Sequence, residues 1–324
     1  MSELVRDALA AVVGGRSLTR SDARAAMGAV MDGEAPPAQL AGLLMALRTR
    51  GETVDELAGF AEAMRARVLP VAAPAGAGVP VAKHGNRAVT SRAGSADVLE
   101  ALGVPVDHGP AEAAAALASD GFAFLFAPGY HPAMRHAGPV RRELGVPTCF
   151  NLLGPLTNPA GVRRQVVGVA DPNAAAKVAR VLHLLGTERA LVVHGEGVDE
   201  LPLDGSGVAY DVSPAGVRRR RVDAARTGLR TAGRHELSGG TASDNAQIIR
   251  AILAGTERGP RRDVVLLNAG GALLAAGRAR TLAGGVRLAA KAIDSGAAGR
   301  LLERLVASPS TTPVDPASAP ATAA

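Results

Sequence analysis

The sequence predicts an α/β protein: a small all-α N-terminal domain, then a larger α/β domain with a central, largely parallel sheet flanked by helices. Three observations carry this expectation. Residues 1–68 show helical periodicity without a strand-like run. From residue 79 onward, short apolar runs bounded by Gly and Pro alternate with longer helical ones, as in sheets whose strands are joined by crossover helices. Finally, 47% hydrophobic and 20% charged residues in a chain of 324 provide for a sizeable core. Aromatics make up 2% and Trp is absent, so that core rests on Ala, Val and Leu.

Each element has its own justification. Leu4, Leu9, Val12 and Val13 recur at helical spacing. Pro36-Pro37 separates two helices, and Thr53 with Glu56 is a capping-box signature ahead of an amphipathic run. "VPVA" (79–82) reads as a strand. "SADVLEALG" (95–103) reads as a helix capped by Ser95 and stopped by Gly103. "FAFLFAP" (122–128), "VVGVAD" (166–171), "RALVVHG" (189–195) and "DVVLLNAG" (263–270) read as further strands, with "NAAAKVARVLHLLG" (173–186) a helix between them. This gives a helical domain at 1–68, an α/β domain at 79–307 and a Pro/Ser/Thr/Ala-rich tail at 308–324, which is expected to be disordered.

Charge and cysteine content narrow the function classes. The net charge of +6 suits a phosphorylated ligand or nucleic acid. The densest basic run, Arg218 to Arg221, has no aromatics beside it to stack bases and reads as a solvated loop or strand edge, which argues against nucleic acid. Cys149 is the single cysteine, so no intramolecular disulfide forms, and without a CxxC pair a zinc site is not expected. The N-terminus lacks a signal-peptide core, and the uncharged apolar run Val264 to Gly277 is too short to span a bilayer. The chain therefore reads as a soluble cytoplasmic protein.

Chemistry-bearing residues gather in a few places. In "KHGNRAVTSRAGS" (83–95), Lys83 and Arg87 supply positive charge, while Thr90, Ser91 and Ser95 supply hydroxyls at the start of a helix. Gly85 and Gly94 permit a tight path, and the whole suits a phosphate or pyrophosphate. In "VVHGEGVDELPL" (192–203), Asp199 and Glu200 are adjacent carboxylates after a strand, hard donors suited to Mg²⁺. In "YHPAMRHAGPVRRELG" (130–145), His131, Arg135, His136, Arg141 and Arg142 share a short helical segment, and Arg suits a bidentate grip on a carboxylate.

At these residues the chain resembles the anthranilate phosphoribosyltransferases. The resemblance runs through "KHGNRAVTSRAGSADVLEALG", "FAPGYHPAMRHAGPVRRELGVPTCFNLLGPLTNP", "GVDEL" and "DNAQIIRAILAG". It implies that Lys83, His84, Gly85, Asn86, Arg87, Ala88, Val89, Thr90, Ser91 and Ser95 hold phosphoribosyl pyrophosphate. It implies that Asn86, His131 and Arg141 contact anthranilate, with Arg141 on its carboxylate, and that Asp199 and Glu200 bind Mg²⁺. A homodimer joined through the helical domain is implied as well, with residues 131–158 packing against that domain. The chain departs from the family at one place: "MRARVLPVAAPAGAG" (64–78) leads directly to "VPVAKHGNR". The family's Gly-Thr-Gly-Gly-Asp-Gly loop and Asn-Ile-Ser-Thr helix are missing, a shortfall of about 25 to 30 residues. A binding or dimer scaffold of reduced activity, and a nucleoside phosphorylase-type relative, are the alternative readings.

Overall fold

The structure, a computed structural model, describes residues 2–72, 79–88 and 92–308. Val89, Thr90 and Ser91 of the polar loop, the Gly-rich junction at 73–78 and the tail from 309 lie outside the described residues.

The N-terminal part is built from α1 (Glu3–Val13), α2 (Arg20–Met31), α3 (Pro37–Arg50) and α4 (Val54–Arg65). Not every apolar repeat of α1 turns inward. Val5, Ala8 and Val12 are buried, whereas Leu4 and Val13 are 51% and 71% exposed. The capping box of α4 forms as expected: Glu56 N donates to Thr53 Oγ1 at 3.2 Å, and Thr53 N donates to Glu56 Oε2 at 2.8 Å. The Glu56 carboxylate does more than cap. It is fully buried, its Oε1 accepts from Leu18 N at 2.8 Å, and Arg50 pairs with its Oε2. One side chain thus ties together the turn before α2, the end of α3 and the start of α4. Helices α2 and α4 cross so closely that a Cβ at Gly59 would lie 2.3 Å from the Arg20 carbonyl oxygen.

The α/β part begins with β1 (Val81–Gly85), α5 (Ser95–Leu102), α6 (Pro110–Ser119) and β2 (Phe122–Phe126). Then come α7 (Ala127–Tyr130), α8 (Met134–Leu144), α9 (Phe150–Leu153), β3 (Arg164–Gly168), α10 (Pro172–Leu184) and β4 (Arg189–His194). It closes with β5 (Val208–Ser213), β6 (Gly216–Arg221), α11 (Ala242–Leu253), α12 (Pro260–Ala275), α13 (Leu282–Asp294) and α14 (Ala297–Ala307).

The α/β class stands, but the expected central sheet is divided. Among the described residues, β1 and β2 form a parallel pair, with Val81 opposite Phe122 and Gly85 opposite Phe126. A separate sheet runs β3-β4-β5-β6, parallel between β3 and β4 and antiparallel beyond. No ladder joins the two among the described residues. Single bonds from the segment after α9 cover part of β1 instead: Asn158 Nδ2 donates to the Ala82 carbonyl at 3.1 Å. Arg218 to Arg221 lie on the edge strand β6, as expected.

Other expectations shift. The strand expected at 79–82 runs from Val81 to Gly85, so Lys83 and His84 sit on the strand rather than in the loop after it. The cap of α5 is not Ser95, which is its first helical residue. Asp97 reaches back instead, its Oδ2 accepting from Gly94 N at 2.7 Å and Ala88 N at 2.9 Å. "DVVLLNAG" (263–270) is not a strand but the middle of α12. A helix packed against both the sheet and α13 shows no single apolar face, so its run resembles a buried strand. Pro260 at its first position is the start signal that distinguishes it.

The helical bundle and the four-stranded sheet share a core. It runs from α1–α4 through Ala137 and Val140 of α8, Phe150 and Leu153 of α9 and Val178 and Leu182 of α10, to Val167 and Val192 of the sheet. A second core covers the opposite face, where Leu191 and Val193 of β4 meet Leu266, Leu267 and Val286 of α12 and α13. The alternation along β4 is the period of two that a strand covered on both faces requires.

Glu56 carries a stability prediction. Burial alone raises a carboxyl pKa, but Arg50 and the amides of Thr53 and Leu18 outweigh it and hold Glu56 below its ordinary value. Its contribution is therefore full above the unfolded carboxyl pKa and is lost as pH falls through the depressed folded value. Glu56→Ala should lower the unfolding free energy by about 3 kcal/mol, because it strands Arg50, the buried Leu18 amide and the half-buried Thr53 amide. Urea unfolding at neutral pH checks this, and an unchanged midpoint would refute it.

Candidate active site

The carboxyl ends of β1, β2, β3 and β4 are where an α/β fold usually places its chemistry, and most of the expected residues lie there. At the end of β1, His84 Nδ1 lies 3.2 Å from the Gly154 carbonyl oxygen. Its Nε2 lies 3.1 Å from Nε2 of His131, which follows α7 at the end of β2. The ring centroids are 5.0 Å apart. A carbonyl only accepts, so His84 Nδ1 carries a proton. In the neutral ring, His84 Nε2 is then the acceptor and His131 Nε2 the donor. This leaves His131 Nδ1 with a lone pair. Both rings are held neutral: burial lowers the His131 pKa to about 4, with the neighbouring His84 adding to the effect. Burial also lowers His84, the Gly154 carbonyl opposes this, and the Lys83 charge reinforces it.

The loop after β1 is less free than its composition suggests. The Arg87 guanidinium pairs with Glu100, lies 3.8 Å from Asp107 and stacks 4.5 Å from the centroid of the Phe126 ring. Its charge is therefore largely neutralised. Ala88 N donates to Asp97, so that amide is already engaged. Asn86 is exposed, and its Oδ1 accepts from Arg87 N at 2.8 Å. Ser95 is exposed at the first turn of α5, and Gly85 packs against the Phe124 ring. Lys83 is exposed on the strand and close enough to Glu200 to lower its pKa.

Asp199 and Glu200 lie in the loop after β4. That loop is seated on the end of β3, where a Cβ on Gly168 would lie 1.7 Å from the Asp199 carbonyl oxygen. Only glycine at 168 admits this approach. Asn268 of α12 clamps the loop from below: its Oδ1 accepts from Leu201 N at 2.9 Å and its Nδ2 donates to Leu201 O at 3.0 Å. Glu200 is reachable by solvent yet crowded. Desolvation raises its pKa, Asp199 beside it adds to the rise, and Lys83 opposes it. The described residues contain no group of three or more His, Cys, Asp or Glu that could enclose a metal. Two adjacent carboxylates fit Mg²⁺, which keeps several waters and takes substrate phosphate oxygens for the rest of its octahedron.

Arg141 sits near the end of α8, half-buried, with its guanidinium 5.0 Å from the Phe150 ring centroid. Burial lowers its pKa, and the adjacent Cys149 opposes this slightly. Among the described residues it has no carboxylate partner, whereas Arg142 and Arg135 on the same helix face solvent. A desolvated guanidinium stacked on an aromatic ring and lacking an anion is suited to a planar carboxylate. Arg141 makes no direct contact with the histidine pair; the link runs through α9, which carries Phe150 at its start and leads into Gly154. Gly154, Gly168 and Asn268 were not singled out from sequence for these roles. Asn268 alone left a signal, as the one strongly polar residue in an apolar run.

The histidine pair generates a prediction. Because the folded pKa values lie below the unfolded one, the pair contributes stability that is present above about pH 6.5. That contribution is lost as pH falls toward about 4, the folded His131 value. His131→Asn should flatten that part of the stability profile. Nitrogen NMR of the wild type should show His84 protonated on Nδ1 and His131 on Nε2; the reverse tautomers would refute the chain.

Comparison with known proteins places this geometry in context. Residues 6–68 match the glycosyl transferase family helical bundle domain, and residues 68–299 match the a/b domain of the same family. The anthranilate phosphoribosyltransferase of Thermomicrobium roseum is 50% identical, covering 93% of this chain and 96% of the relative. That of Roseiflexus sp. is 48% identical over 93% and 97%. The crystal structure of anthranilate phosphoribosyltransferase from Thermus thermophilus superposes with a TM-score of 0.87 at 44% identity, covering 93% and 98%. The Saccharomyces cerevisiae enzyme in complex with PRPP and Mg has the same fold, with a TM-score of 0.83 at 22% identity. The Thermomicrobium match extends over 335 positions but draws on 93% of 324 residues, so about thirty positions of that relative have no counterpart here. That is the size of the strand, loop and helix expected to be missing.

Proposed function

The chain belongs to the anthranilate phosphoribosyltransferases, and from that membership we propose how its residues divide the reaction. It is a pentosyltransferase of tryptophan biosynthesis. It transfers the phosphoribosyl group of 5-phosphoribosyl 1-pyrophosphate to the amine of anthranilate, with Mg²⁺ as cofactor. The amine nitrogen bonds to C1 of the ribose, the C1–oxygen bond to pyrophosphate breaks, and the nitrogen loses a proton. An aromatic amine is nucleophilic while neutral, so the protein's work is positioning and charge stabilisation.

The observation that carries the assignment is Arg141, half-buried, stacked on Phe150 and without a carboxylate partner among the described residues. It grips the anthranilate carboxylate. Asn86 and His131 flank the ring and amine, with the lone pair on His131 Nδ1 available to an amine N–H. Lys83, Asn86 and Ser95 serve the pyrophosphate and ribose phosphate, and the resemblance assigns Val89, Thr90 and Ser91 to the same role. Gly85 shapes the backbone there. His84 acts on His131 rather than on phosphate, and Arg87 and Ala88 organise the loop through Glu100 and Asp97. Asp199 and Glu200 hold Mg²⁺, which when bound stabilises the departing pyrophosphate. The exposed Leu4 and Val13 of α1 support a homodimer joined through the helical domain. No described helix is long and apolar enough to cross a membrane, in keeping with a cytoplasmic location.

Loss of anthranilate fluorescence with phosphoribosyl pyrophosphate and Mg²⁺ tests the reading. Turnover is expected; a folded protein that binds anthranilate without consuming it would overturn the transferase assignment. Arg141→Ala should raise the KM for anthranilate by about ten- to a hundredfold, the worth of a charge-assisted carboxylate contact. The KM for the sugar substrate should change little, and equal losses for both would remove the assigned role. Asp199→Asn with Glu200→Gln should raise half-saturating Mg²⁺ by about tenfold or more, since even outer-sphere losses cost that much. An unaltered Mg²⁺ titration would relocate the metal site.

A further inference from the structure

Beyond the transfer site, the turn after α12 and one stripe of α13 line an open hollow of about 430 Å³. Arg278 and Arg280 line it from the connecting turn, and Arg287 and Lys291 line it from one stripe of α13. No carboxylate lines it. Among the described residues, none of these side chains has a hydrogen-bond or ion-pair partner. Several arginines elsewhere on the surface do have carboxylate partners. Arg67 pairs with Asp32, Arg87 with Glu100, Arg262 with Asp294 and Arg304 with Asp120. Glu188, just before β4, is taken by Arg164 at 2.6 Å. Four like charges converging on a concave surface repel one another unless an anion joins them.

The shape is also suited to a ligand. Gly284 lies between the turn and the stripe, where a Cβ would sit 3.2 Å from Thr281 Oγ1 and 3.8 Å from Arg287 Nη2. A larger side chain there would fill the hollow. Leu288, 43% exposed between Arg287 and Lys291, gives it an apolar patch. The hairpin is rigid, because α12 and α13 meet backbone to backbone: a Cβ on Gly285 would lie 2.4 Å from the Gly270 carbonyl oxygen. The backbone that carries the cations is therefore held in place. The hollow also lies away from the transfer site. The Arg164 guanidinium, at the first residue of β3, packs against Gly277, whereas the Asp199 loop rests on Gly168 at the other end of that strand. The separation along the strand is roughly 13 Å.

We propose that this hollow is a second anion site, which binds a small molecule carrying two or more phosphate charges. Its volume falls within the range of small-ligand sites, about 300–1,000 Å³. No aromatic lines it to stack bases, which argues against a polynucleotide. The site depends on no assignment made for the transfer reaction.

The test uses the full chain and inorganic tripolyphosphate, titrated calorimetrically in EDTA so that Mg²⁺-dependent binding near Asp199 is silent. Saturable one-to-one binding is expected, weakening steeply with added salt. Arg280→Glu with Arg287→Glu should weaken it by about tenfold or more, because both exposed charges are reversed. Gly284→Leu should do the same by occupying the space with every charge kept, and a helical position tolerates it. Amide NMR should place the shifts at residues 278–291. Absence of saturable binding, equal affinity in both variants, or shifts confined to the loop after β1 would each overturn the site.

Discussion

The hydrogen bond from His84 to the Gly154 carbonyl is the interaction on which the transfer site most depends. It fixes which nitrogen of His84 carries the proton, and through it which nitrogen of His131 donates. It also joins three stretches that are distant in sequence: the end of β1, the turn after α7 and the turn after α9. With no ladder joining β1 to the four-stranded sheet among the described residues, side-chain bonds of this kind take over part of its task. Asn158 on the Ala82 carbonyl is a second. An unpaired strand edge exposes donors and acceptors, and these contacts cover part of that liability.

The carboxylate pair is positioned by a different principle. Asp199 and Glu200 lie in a loop that has no regular structure of its own. Its place is set from below by the missing side chain of Gly168 and by the amide clamp of Asn268 on Leu201. Buried Leu201 and Leu203 anchor it to the core shared with α12. Lys83 adds a long-range electrostatic link between this loop and β1. Positions remote from the carboxylates thus fix the pair proposed to hold Mg²⁺, where small displacements matter.

Charge is distributed with the same economy. Most described arginines near carboxylates are paired, and the loop after β1 spends its Arg87 on Glu100 and Asp107. Among the cations left without a carboxylate partner are half-buried Arg141 and the four that line the hollow at the turn after α12 and along α13. Net charge records only the excess, so composition pointed to an anionic ligand but not to where it binds.

The sequence by itself determined the α/β class, the helical domain in front of it, the capping box of α4 and the edge position of the arginine run, and it supplied the candidates for the chemistry. Those features depend on local pattern: period, caps, and residue types in short blocks such as "KHGN" and "GVDEL". It misplaced β1 by two residues and read α12 as a strand, because a helix covered on both sides shows no single face. It did not reveal the bond of His84 to Gly154 or the pairing of Arg87 with Glu100, because neither partner adjoins them in the chain. Only the tertiary structure decided the tautomers of the histidine pair, the seating of the Asp199 loop on Gly168 and the division of the sheet. Each of these rests on contacts between residues far apart in sequence, and no local pattern records which distant backbone will supply the partner.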